Sequence, residues 1–165
     1  YMTKIPLILC TLFAFAIPIT GCVAPQVAIQ QEVLQTSRVL PYSKDKVWET
    51  VLRKSTEKGL VVKVLDKESG LITFELTNLA LGYSNRGQEN YFYVPQIFLG
   101  IWNGATIQST VIINKIDENN TKIEVIHNYS AFENNVTKSW HTVRTTGKAE
   151  SKFIDDISLD LIISN

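Results

Sequence analysis

The sequence predicts an α+β fold: an antiparallel sheet with two helices packed on one face, in the order β-α-β-β-(β)-β-β-α. Three observations predict it. Apolar positions recur at helical spacing over residues 43–59 and again over 147–163, and the runs between them alternate with the period of two that marks strands. With 165 residues, 45% of them hydrophobic and 19% charged, the chain can bury one core of its own and has no room for a second full domain. Only 5 prolines and 8 glycines interrupt it, which argues against a disordered chain.

The first strand is expected over Thr36–Tyr42, where Pro41 ends it or keeps it at an edge. Ser43 can cap the helix that follows, Asp45 suits its first turn and Gly59 its end. Val47, Trp48, Val51 and Leu52 share one face of this helix, and Lys46, Glu49, Arg53, Lys54 and Glu57 the other. Leu60–Leu65 is a short β-branched run, Asp66–Gly70 has turn chemistry, and in Leu71–Leu79 Ile72, Phe74 and Leu76 alternate with polar residues. These pieces form a hairpin under the helix. Between Ala80 and Gly104 the pattern breaks down into aromatic clusters and glycines, with a further strand expected at Asn90–Val94. Ala105–Asp117, the turn Glu118-Asn119-Asn120, and Thr121–Phe132 give the clearest hairpin in the chain. Gly147–Ile163 closes the domain as a helix with Ala149, Phe153, Ile154, Ile157 and Leu161 inward and Asp155, Asp156 and Asp160 outward.

Ahead of this domain, Ile5–Ile19 is a nearly continuous apolar run behind a single Lys4. It is shorter than the roughly 20 residues of a spanning helix and contains Pro6 and Pro18, as a secretory signal does. Ile19-Thr20-Gly21-Cys22 resembles the lipobox of bacterial lipoproteins. That resemblance implies cleavage before Cys22 and acylation of its thiol with palmitate-type chains, so that residues 1–21 are a signal peptide and 22–35 a tether to a periplasmic domain at 36–165. Val23, in place of aspartate, implies sorting to the outer membrane. An ordinary signal peptide or an uncleaved anchor are the alternatives. Multiple acyl chains make such an anchor stable, at about 0.8 kcal/mol per buried methylene. Removal of Cys10 with the leader would leave Cys22 as the mature chain's one cysteine and no intramolecular disulfide.

The stretch Ser37–Glu75, with Ser43, Asp45, Val47 and Trp48 at the helix entry, Gly59, and Asp66–Ile72 at the turn, resembles the repeated domains of the BamC family of envelope lipoproteins. The resemblance implies a helix-grip, TATA-binding-protein-like sandwich. BamC carries two such domains and this chain has room for one, so the barrel-assembly role is not implied.

The chemistry-bearing residues are few. The 16 basic and 16 acidic side chains cancel, which excludes the basic surplus of a nucleic-acid binder. No HExxH, GxSxG or paired cysteine motif appears, so no catalytic residue, metal or cofactor is expected. His127 falls in register with Ile123, Val125 and Tyr129 and is expected to be buried and hydrogen-bonded, whereas His141 is expected in an exposed polar loop. The basic excess between Lys44 and Lys67 reads as a solvated face. Tyr91, Phe92, Tyr93, Phe98 and Trp102 offer surplus aromatic area, either as a binding surface or as a plug at one end of the sandwich. Asn119 and Asn135 each stand in an acidic-x-Asn-x-Thr sequon of the kind some bacterial oligosaccharyltransferases use. The function expected is that of a lipid-anchored, non-enzymatic interaction or scaffold module with an envelope protein partner. The alternative is a small ligand or lipid held in the groove between helix and sheet.

Overall fold

The computed structural model describes residues 35–79, 91–93, 95 and 97–164. Contacts divide the chain into Tyr1–Gln31 and Glu32–Asn165, and all the described residues belong to the second unit. The leader, Cys22 and all but the last residue of the tether lie outside them.

The elements run β1 (Ser37–Leu40), α1 (Lys44–Glu57), β2 (Val62–Asp66), β3 (Leu71–Phe74), β4 (Thr77–Leu79), β5 (Trp102–Lys115), β6 (Thr121–Glu133), β7 (Ser139–Val143) and α2 (Lys148–Ile163). The fold is α+β, with every strand pair antiparallel and both helices against one face. The sheet order is β1-β6-β5-β3-β2, with β4 also on β5 and β7 also on β6. The long β5–β6 hairpin is its spine, in unbroken register from Gly104↔Phe132 to Lys115↔Thr121.

Helix α1 starts where Ser43 accepts a hydrogen bond from the Lys46 amide. It ends at Gly59, whose φ of +70° lets the Leu60 amide reach back to the Ser55 carbonyl. Its Val47, Trp48 and Val51 meet Ile72, Phe74, Val111, Ile113, Ile123 and Val125 from the sheet and Phe153, Ile154, Ile157 and Leu161 from α2, forming the main core. A second cluster, Phe92, Trp102, Ala105, Tyr129, Ala131 and Val143, lies further along β5 and β6.

Four sequence expectations need correction. The strand expected over Leu71–Leu79 breaks at Glu75-Leu76 into β3 and β4, each pairing separately with β5. Of the strand expected at Asn90–Val94, the described residues make a single bridge, Phe92 to Thr145, flanked by hydrogen bonds of Tyr93 with Arg144 and Thr146 with Tyr91. His141 sits in β7, unforeseen as a strand, where its ring meets Trp102 edge-on and its Nε2 lies 2.7 Å from Thr137 Oγ1. Asp160 does not face solvent: it is buried between the helices, paired with Arg53 and with Lys54 at 3.1 Å.

Candidate functional site

Along the helix-facing side of β5 and β6, large apolar residues fill the two clusters, but at the seam between them Ser109 stands opposite His127. A hydroxyl and an imidazole fill less space than a pair of aliphatic side chains, and Ala149 on α2 adds no bulk above them. A cavity of about 260 Å³ results. Leu60, Leu79, Tyr91, Ile107 and Phe153 form its apolar walls, His127 and Ser109 its polar part, and Lys58, Lys152 and Asp156 its charged rim. Lys58 is already engaged with Asp156 at 2.7 Å. A larger cleft between α1 and α2 is lined by Lys54, Glu57, Lys58, Asp156 and Asp160, whose charges pair with one another, so it offers a ligand little.

Next to the cavity, α2 buries Glu150, which is 1% exposed. Among the described residues neither of its carboxylate oxygens has a hydrogen-bond partner, and Oε2 lies 3.7 Å from His127 Nδ1. The Tyr129 hydroxyl is 3.4 Å from the same nitrogen. Burial lowers the His127 pKa below its ordinary value, with the Glu150 charge opposing in part, so the ring is neutral near pH 7. Burial, with the Glu150 charge adding to it, raises that of Tyr129. The expectation of a buried, hydrogen-bonded His127 is met in part: the residue is half-buried, and the Tyr129 hydroxyl is its hydrogen-bond partner. Glu150 escapes a reading by residue type, which assigns a charge to the solvent face, although it stands three, four and seven residues before Phe153, Ile154 and Ile157 and so shares the inward face of α2. No hydrogen bond joins Ser109 to His127 among the described residues, so the trio is not aligned as a nucleophile, base and orienter. Nor does any group of three or more His, Cys, Asp or Glu among those residues come together in a way that could hold a metal ion.

At the Glu133 end of the hairpin a different arrangement stands out. The Glu133 side chain is fully buried and accepts four backbone N–H groups: Ile101 at 2.9 Å and Asn135 at 2.7 Å on Oε1, Val136 at 2.9 Å and Thr137 on Oε2. The Thr137 hydroxyl donates at 3.0 Å. These bonds outweigh burial and hold the carboxyl far below the usual carboxylate range. The Asn134 amide bonds to the Ile101 carbonyl and the Asn135 side chain to the Leu99 carbonyl, both at 2.8 Å. Two loops are thereby locked together, with Leu99 (φ 60°) and Lys138 (φ 48°) in left-handed conformations. On this frame Phe98 is 88% exposed and Leu99 68%, and Ile101, Val136 and Trp140 are also exposed. The sequence signal for the clasp, an acidic residue followed by Asn-Asn-Val-Thr, is the same stretch that fits a glycosylation sequon.

The five aromatics, expected either as a binding surface or as a plug at one end of the sandwich, are dispersed. Phe92 and Trp102 are buried in the second cluster and form no surface, Tyr91 lines the cavity, Tyr93 lies at the edge beside the Arg144 guanidinium, and Phe98 crowns the locked loops. Asn119 is exposed in the β5–β6 turn, whereas the Asn135 amide is used to tie Leu99. Among the described residues, no helix is long and apolar enough to cross a membrane.

No family model matches the chain, and no curated protein does. Among solved structures, a DUF4468 family protein from Bacteroides ovatus ATCC 8483 aligns over 78% of this chain and 83% of its own, at 12% identity and a TM-score of 0.33.

Proposed function

We propose that this protein is a lipid-anchored, non-enzymatic binding module of the bacterial cell envelope, acylated at Cys22, with its domain in the periplasm at the outer membrane. Its ligand is a compact, mostly apolar molecule bearing one polar group, held between α2 and the sheet. The cavity carries this reading. Its walls are apolar, and its volume of about 260 Å³ lies just under the roughly 300–1,000 Å³ usual for ligand pockets, which limits the occupant's size. His127 offers the polar group a neutral ring nitrogen among mostly apolar walls.

Anilinonaphthalene sulfonate, displaced by short-chain fatty acids and alcohols, tests the site. Saturable binding by the native protein and its loss in Ala149→Phe, with thermal stability retained, is the expected result. Equal binding by both proteins would remove the cavity from consideration. Labelling cells with a palmitate analogue tests the anchor: signal in the native protein and none in Cys22→Ala supports it, and equal signal refutes it.

A further inference from the structure

The apolar tip formed by residues 97–101 and 134–140 has no part in the cavity. We propose that this tip enters the interface of a lipid bilayer, giving the domain a second membrane contact and a fixed orientation; the orientation argument rests on the anchor proposed at Cys22. Three independent features point to a bilayer.

The first is shape and rigidity. Phe98 and Leu99 stand almost clear of the protein, so they suit a soft apolar layer better than a shaped protein pocket. The Glu133 clasp holds the backbone at Ile101 and Asn135, whose side chain ties the Leu99 carbonyl, so little backbone entropy is lost when the two side chains insert. Aromatic and aliphatic side chains beside polar loop backbone are the composition that settles at the headgroup boundary.

The second is charge. Segments 95–104 and 134–147 contain no aspartate or glutamate, and their charged residues are Lys138 and Arg144. The other end of the same hairpin pairs Glu118 with Lys115, and beside it Lys67 of the β2–β3 turn pairs with Asp45, so acidic and basic side chains largely balance there. With Glu133 buried, the exposed charges on this side are the two cations, so an anionic leaflet attracts the tip and finds no net positive charge to favour the opposite end.

The third is the course of the chain. β1 runs antiparallel to β6, with Leu40 opposite Thr121, Ser37 opposite Glu124, and the Thr36 carbonyl accepting from the Val125 amide. Followed towards the N-terminus, the backbone thus heads for the Glu133 end, where the tip lies. From there the remaining strand, from Val125 to Glu133, is about 27 Å at ~3.4 Å per residue. The tether of residues 22–35 reaches up to about 46 Å at ~3.3 Å per residue. An acylated Cys22 and the tip can accordingly meet one bilayer.

The test places an environment-sensitive nitrobenzoxadiazole label on Phe98→Cys or, as the control, on Ile116→Cys. Ile116 is 55% exposed at the opposite end of the hairpin, so neither substitution disturbs the core. The full chain is bound to vesicles of phosphatidylethanolamine and phosphatidylglycerol. A blue-shifted, at least twofold brighter emission at 98, quenched by spin-labelled lipid, with no change at 116, is the expected result. Equal emission at the two positions overturns the proposal. So does a label at 98 that stays aqueous on lipid vesicles yet becomes shielded on native membranes, which would assign the tip to a protein. Repeating the pair in a Cys10→Ser, Cys22→Ser chain separates the two ideas. Failure of the anchor abolishes Cys22 labelling by palmitate, whereas failure of the tip abolishes the difference between 98 and 116.

Discussion

Gly59 and Gly70 have nearly the same backbone conformation, φ +70° and +76°, in different surroundings. A Cβ on Gly59 would meet nothing within 4 Å, whereas on Gly70 it would lie 2.0 Å from the Ile113 carbonyl oxygen and 3.0 Å from its carbon. Alanine at either position carries the left-handed penalty of about 1–2 kcal/mol. The reduced freedom of the unfolded chain offsets about 0.4–1 kcal/mol of that. Gly59→Ala should therefore cost about 0–1.5 kcal/mol in all. Gly70→Ala must in addition push the start of β3 off β5 by about 1 Å, a distortion of the overpacking kind that costs about 1–3 kcal/mol. The same shift weakens the 2.8 Å hydrogen bond from the Ile113 amide to the Gly70 carbonyl, worth about 1 kcal/mol. The difference between the variants is then about 2–4 kcal/mol, a large share of the 5–15 kcal/mol typical of a domain. Urea unfolding, followed by the fluorescence of the buried Trp48 and by circular dichroism, reads it directly. With a slope near 2 kcal/mol/M, the two midpoints should differ by about 1–2 M. Midpoints within about 0.3 M of each other would show that the sheet yields at Gly70 and that the conformation alone explains both glycines.

Four further outcomes are expected. Replacing Glu133 by Gln leaves one side-chain atom that cannot accept an N–H, so the amides of Val136 and Thr137 or of Ile101 and Asn135 should exchange with deuterium faster, while unchanged exchange would deny the clasp. The folded-state pKa of Glu133 is depressed, so its stabilisation is fully present above the unfolded value of about 4.3 and fades as pH falls below it; the native chain should lose stability there faster than Glu133→Gln. His127 also has a lowered folded-state pKa, so the unfolded chain takes up the proton first and stability falls as pH drops through about 6.5; His127→Gln should flatten that part of the thermal-stability profile, and an unaltered slope would place its source elsewhere. Ile157, fully buried between α2 and the sheet, should cost about 2–5 kcal/mol as alanine, against about 0.5 kcal/mol or less for the exposed Leu159, by chemical denaturation.

Most of the fold was legible because helices and long hairpins are written locally. Ser43 and Gly59 bracket α1, Asn119 and Asn120 mark the β5–β6 turn, and the apolar spacing of α2 shows which of its faces meets the sheet. What escaped was whatever depends on a distant partner. β7 is short and polar and exists because β6 extends beyond β1 and offers it an edge. Leu71–Leu79 reads as one strand until its two ends must each find a register on β5. The aromatics lie close along the chain, which leaves both a surface and a plug open, yet in the fold Phe92 and Trp102 are packed inward while Phe98 projects outward.

The candidate sites divide in the same way. The sequence by itself determined the α+β class, the amphipathic helices, the inward position of His127 and the balance of charge, since each is a matter of residue type at a local period. Only the tertiary structure set Ser109 opposite His127 beneath Ala149, leaving a cavity between two cores. It alone brought Ile101 to Glu133 across 32 positions of sequence, turning a polar loop into a rigid apolar tip. Burial and hydrogen-bond closure are properties of neighbours in space, and a linear pattern carries no record of them until the chain has folded.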